Sequence, residues 1–113
     1  MTPGDIVLIS LPQTAGGPPK LRPALLLSLL PGPYQNVLLC GVSTQTHELV
    51  ADWDELFRTT DADFAGSGLH RESAIRLSYL YAADGTEIAG TIGTVSAERL
   101  ERLSARLSDH LKP

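Results

Sequence analysis

Apolar residues recur along most of the chain in short β-branched or leucine-rich runs, and only near the end do they settle into a helical spacing. Asp5 to Leu11 (Asp-Ile-Val-Leu-Ile-Ser-Leu), Pro23 to Leu29 and Asn36 to Val42 each have the length and composition of a buried strand. Ala74 to Leu80 alternates, with Ile75, Leu77 and Tyr79 on one face and Arg76 and Ser78 on the other. One side of this strand is therefore expected to be wet or functional. Glu87 to Val95 reads as a last strand, in which Gly90 and Gly93 predict a bulge or a close backbone approach. Between Thr46 and Phe64 the pattern weakens, and Trp53 to Phe57 fits either a short turn of helix or an edge segment.

The punctuation agrees with short strands. Gln13 to Pro19 (Gln-Thr-Ala-Gly-Gly-Pro-Pro) mixes residues that permit unusual dihedrals with residues that forbid helix, so it is expected to be an exposed loop. Seven of the eight prolines precede residue 34, which leaves long helices no place in the first part of the chain. Pro31-Gly32-Pro33 and Asp84-Gly85 read as turns, and Asp5, at a strand start, is placed to bond turn amides. At the end, Leu100, Leu103, Leu107 and Leu111 recur at helical spacing while Glu98, Arg99, Arg102 and Arg106 face elsewhere. Ser96 is a natural N-cap, with Val95 and Leu100 placed for a hydrophobic staple, although Arg99 stands where a capping box wants Glu. His110 and Lys112 suit the negative end of the helix dipole, which makes His110 structural.

Five strands followed by one helix predict a mainly β (α+β) architecture: a small, strongly curved SH3-like antiparallel barrel closed by a C-terminal amphipathic helix. At 113 residues the chain is expected to form one domain, 1–113. The lone Cys40, set among leucines, reads as a buried thiol, and three scattered histidines offer no metal spacing. Neither a disulfide, a metal nor a cofactor is expected, and a reducing cytoplasm fits best. The longest apolar run, Ala24 to Leu30, stops at Pro31, far short of a membrane span.

Charge changes the picture locally. The formal net charge of -4 disfavours coating of nucleic acid, because non-specific affinity comes from neutralised phosphates. Glu48, Asp52, Asp54, Glu55, Asp61 and Asp63 crowd one stretch relieved only by Arg58, which reads as a solvated loop. Lys20, Arg22, His70, Arg71 and Arg76 fall in two other places, where an anionic ligand would be met.

Three segments in order resemble PemK/MazF toxins: Gly4 to Leu8, then Lys20-Leu21-Arg22-Pro23-Ala24-Leu25-Leu26-Leu27-Ser28, then Val42-Ser43-Thr44-Gln45. A fourth, Gly68-Leu69 followed by Ser73-Ala74-Ile75-Arg76-Leu77, is similar to the family's Gly-Leu…Ser-Val-Ile-Arg strand, and the terminal helix matches as well. The resemblance implies the CcdB/Kid/MazF-like barrel, a homodimer, a partner antitoxin whose segment occupies an RNA groove, and metal-independent cleavage of single-stranded RNA that arrests translation.

Such cleavage uses the substrate's own 2′-hydroxyl as nucleophile and needs a base, charge stabilisation at the phosphoryl oxygens and an acid. The resemblance points to Arg22, Ser43 and Arg76. A guanidinium keeps its proton at neutral pH, so Arg22 is better suited to clamp a phosphate than to exchange protons with it. Ser43 stands where many relatives have threonine and keeps the hydroxyl, with Thr44 a substitute only if the register shifts by one. Arg76 matches a strand arginine that some relatives use with an acid two residues later, but here that residue is Ser78; alternatively Arg76 is structural and pairs with Glu72 or Asp84. Substrate contacts are expected from Lys20, Thr44, Gln45, His47, His70, Arg71 and Ser78. His47 and His70 are the remaining candidates for proton transfer, since imidazole titrates near neutrality without help, although each reads more readily as a loop histidine than as a catalyst. Specificity is expected from the Gln13 to Pro19 loop and Gln45, with Trp53 and Phe64 as stacking platforms or, for Trp53, a core residue.

Two other readings stay open. A gyrase poison of the CcdB kind shares the fold but ends in a tryptophan-bearing helix tip, whereas this chain ends His110-Leu111-Lys112-Pro113. A non-catalytic RNA-binding or regulatory relative would keep the barrel without the chemistry. The nuclease reading requires residues 22 and 43 to open onto one cleft.

Overall fold

A computed structural model describes residues 1–11, 17, 18 and 20–112, with Leu11 described by its backbone alone. The expected specificity loop, Gln13 to Pro19, thus lies outside the described residues except for Gly17 and Pro18. Six strands among the described residues form one antiparallel sheet: β1 (Asp5–Leu11), β2 (Lys20–Leu29), β3 (Asn36–Ser43), β4 (Glu55–Phe57), β5 (Ser73–Asp84) and β6 (Ile88–Thr94), in the spatial order β4-β5-β3-β2-β1-β6. The helix α1 (Ala97–Leu111) follows. The mainly β class and the terminal helix are as the pattern predicts. Closure is not: β4 and β6 are edges of an open sheet. The weak segment around Trp53 resolves into the edge strand β4, which brings the strand total to six.

Alternation along the strands sorts their side chains into two apolar clusters. Ile6, Leu25, Leu27, Cys40, Val42, Ile75 and Leu77 face α1, whose Leu103 is fully buried among them while Leu100 and Leu107 pack alongside. Leu111, expected in the same stripe, is 71% exposed and does not join the core. Val7, Ile9, Ala24, Leu26, Val37 and Leu39 form the second cluster on the opposite face. The continuous apolar run of β2 is therefore buried on both sides, as such a run demands. Burial pushes the Cys40 thiol up to about 12, so it stays protonated and inert.

Close approach fixes the β6 edge. A Cβ on Gly93 would collide with the backbone of Gly66 and Ser67, and Gly68, at φ 78°, lies equally close to the Ile92 carbonyl. The register of β1 against β6 shifts twice, near Gly90 and Gly93, in line with the expected bulges.

The acidic stretch is not a solvated loop. Arg99 of α1 lies buried over the Phe57 ring, 4.1 Å from its centroid, and bonds Asp63 (2.8 Å), Glu55 (2.7 Å) and Asp61 (3.1 Å). Arg102 adds a 2.7 Å pair with Glu55. The chain's missing capping box is supplied from elsewhere: Ser96 accepts the Arg99 amide, while the Asp63 carboxylate accepts the Ser96 amide at 2.9 Å. Hydrogen bonds from Arg99 hold the Asp63 carboxyl well below the usual carboxylate range. His110 stacks against Trp53 with ring centroids 4.9 Å apart, a structural role as expected.

Candidate functional site

β2, β3 and β5 open a cavity of ≈ 520 Å³ on the face that carries the second apolar cluster. Arg22 lies two residues before Ala24 and so projects to that same face. Pro23 holds it extended by forbidding the helical region to the residue before it. Ala24 pairs with Gly41, and Gly41 in turn with Arg76. Two residues further out on each strand stand Arg22 and Ser43, so the register delivers both to one end of the sheet. Arg22, Ser43 and Arg76 all line the cavity.

Their hydrogen bonding differs. Arg22 makes no ion pair among the described residues. Ser43 Oγ accepts the Gln45 amide at 3.0 Å, which orients the hydroxyl and leaves its proton free to donate. Arg76 is held on two sides: Nη1 meets Glu48 Oε2 at 3.2 Å, Nη2 donates to the Glu48 carbonyl at 3.3 Å, and Nε stands 3.6 Å from Asp54 Oδ2. That last distance is too long for a hydrogen bond, and Nε is the one buried side-chain polar atom without a hydrogen-bond partner among the described residues. Glu48 and Asp54 thus replace the expected Glu72 or Asp84; the latter instead accepts from Thr86.

The carboxylate absent at position 78 reaches Arg76 by another route. Asp54 precedes β4 and is fully buried in its side chain. It accepts the Val50 amide, the Ser78 amide and the Ser78 hydroxyl, each at 2.9 Å. Burial alone pushes this carboxyl upward, but the Val50 and Ser78 donors and the charge of Arg76 outweigh it and hold it below the ordinary value. Ser78 is committed to Asp54 and is not on the cavity wall, contrary to its expected contact with substrate.

Thr44, Gln45, His70 and Arg71, four of the residues read as substrate contacts, line the cavity. Lys20, at the exposed start of β2, and His47, on the turn Thr46–Glu48 with Nε2 3.9 Å from Glu48 Oε1, lie outside the wall. Neither expected stacking platform reaches it: Phe64 is buried edge-on against Phe57, and Trp53 packs under α1. The aromatic residues on the wall are Tyr79 and Tyr81 instead. Strict alternation would place Tyr79 beside Ile75 and Leu77 in the core. The register of β5 jumps between Arg76, opposite Gly41, and Leu80, opposite Cys40, and the intervening bulge carries Tyr79 out to 58% exposure. A three-residue bulge has no local signature; the sole hint is a tyrosine followed by Leu-Tyr, an aromatic pair at strand spacing.

Among the described residues no group of three or more His, Cys, Asp or Glu side chains comes together as a metal site, and no helix is long and apolar enough to cross a membrane. The family model of the PemK-like, MazF-like toxins of type II toxin-antitoxin systems matches residues 2–111. The chain belongs to this toxin family. Among solved structures it is similar to the Mycobacterium tuberculosis toxin MazF-mt6, with a TM-score of 0.65 and 18% identity over 93% of each chain. None of the curated proteins matches it. At that identity the structural likeness speaks for the fold, a PemK/MazF-like sheet and helix, and the family match independently covers the segments that carry Arg22, Ser43 and Arg76.

Proposed function

We propose that this toxin is an endoribonuclease that cuts single-stranded RNA by attack of the 2′-hydroxyl on the adjacent phosphorus, leaving a cyclic phosphate and a 5′-hydroxyl, and so arrests translation. Support comes from one observation above all: Arg22 and Ser43 share a cavity in which the guanidinium has no protein anion to neutralise among the described residues. The fork of Arg22 bridges two phosphate oxygens, the Ser43 hydroxyl donates to a non-bridging oxygen, and Arg76 anchors a second phosphate once Glu48 yields it. Thr44, Gln45, His70 and Arg71 supply the remaining contacts, and His70 is the imidazole on the wall for proton transfer. A homodimer extends the groove across two copies, and the cognate antitoxin silences the enzyme by laying a segment over it.

The test is the mapping of cut ends on total RNA by purified protein. Wild type yields 5′-hydroxyl ends, and Arg22→Ala lowers kcat by about a hundredfold to a thousandfold, the range for removing one oxyanion-stabilising donor. An Arg22→Ala enzyme that cuts at the wild-type rate overturns the assignment.

A further inference from the structure

We propose that Tyr79, backed by Tyr81, forms a nucleobase subsite beside the phosphate-binding arginines, on which an unpaired base of the RNA stacks. The proposal rests on the nuclease reading for its ligand and deepens it. Tyr79 is 58% exposed, a burial state that costs apolar surface and that the fold does not need, since the bulge turns the ring away from Ile75 and Leu77. The ring lies over Gly41, a position without a side chain, within 3.4 to 3.6 Å of where a Cβ would stand. Tyr81 meets it edge to face, centroids 5.9 Å apart at 78°, and is itself half-buried on the second apolar cluster, so Tyr79 is braced from the side.

The surroundings select the occupant. In a chain of net charge -4, the cavity wall carries Arg22, Arg71 and Arg76 and, among the described residues, no carboxylate. An aromatic face flanked by guanidinium groups matches the alternation of base and phosphate along a single strand, in which charges track the backbone while rings receive successive bases. An apolar protein segment would use the tyrosine and leave Arg22, which has no ion-pair partner among the described residues, unanswered. Stacking tolerates every base, so Tyr79 contributes affinity and placement of the strand, while discrimination between bases falls to polar neighbours such as Gln45.

The experiment separates base from backbone. Binding of 2′-O-methyl octamers of U, C or A, which resist attack by the 2′-oxygen, is compared with binding of the same sugar-phosphate backbone bearing no bases. Tyr79→Ala should weaken the base-bearing octamers by about fivefold to about 150-fold while changing the abasic one by less than about twofold, and Tyr79→Phe should bind like wild type because the ring is kept. Arg22→Ala should weaken both kinds of octamer alike. Equal losses on both backbones for Tyr79→Ala, no loss on either, or no binding of any octamer by wild type each overturn the subsite. So does a Tyr79→Ala protein that binds RNA normally but loses self-association in sedimentation, which would mark a protein-docking face. Loss of the nuclease reading is distinguishable: wild type would then bind bases through Tyr79 yet yield no 5′-hydroxyl ends.

Discussion

The two faces of the sheet use arginine in opposite ways. On the helix side, Arg99 is buried and bonded to three carboxylates, with Arg102 sharing Glu55; both of these guanidinium groups meet their carboxylates within 3.1 Å. On the cavity side, Arg22 has no ion-pair partner among the described residues, and Arg76 keeps its Nε without a hydrogen bond. The first arrangement ties the acidic stretch and α1 to the sheet. The second leaves the Arg22 charge unanswered by any side chain among the described residues. An arginine's role is thus read from what completes it, and not from its exposure.

The contrast can be broken at its strongest point. Arg99→Ala should cost about 3 kcal/mol of stability, the low end for breaking a buried ion pair, because it removes a buried cation from three part-buried carboxylates of which only Glu55 keeps other arginines. Urea unfolding measures it, and a loss below about 1 kcal/mol would reduce the network to an ordinary surface cluster. Acid should dissolve the same network more gradually. Asp63 is held below its unfolded value, so the folded state binds fewer protons than the unfolded state in the window between; its contribution is complete above about pH 4 and is lost as pH falls through the folded value. Stability that stays flat down to about pH 2 in wild type would contradict this.

A smaller effect is expected across the sheet, where Asp54 acts as a positioning residue for Arg76. Asp54→Asn should lower kcat by roughly tenfold, equivalent to about 1.4 kcal/mol, and should add nothing in an Arg76→Ala background. A full additional loss in the double variant would show that Asp54 acts on the fold and not through Arg76. Smallest of all is His47→Ala. His47 is exposed on its turn and off the cavity wall, so cleavage should stay within about twofold of wild type, and a hundredfold loss would return it to the site.

Much of this architecture is legible in the primary structure. The bounds of β1, the apolar runs of β2 and β3, the capped start of α1 and the order of the family segments come from local chemistry, since period, punctuation and capping act over a few residues. The nuclease reading requires a shared cavity of Arg22 and Ser43, but the pairing of Ala24 with Gly41 is what delivers it. The chain by itself also determined its charges and their crowding into segments.

Tertiary structure alone decided who meets whom across long stretches of chain. Asp54 finds Ser78 and Arg76 over 24 and 22 positions, and Asp63 caps a helix whose N-cap lies 33 residues later. Neither pairing has a periodic trace. Tyr79 went to the cavity and not to the core because strand pairing on β5 skips three residues, and one such slip reverses the face of the residues beyond it. Register is a property of two strands together, set by the packing of both, and so no single strand's sequence contains it.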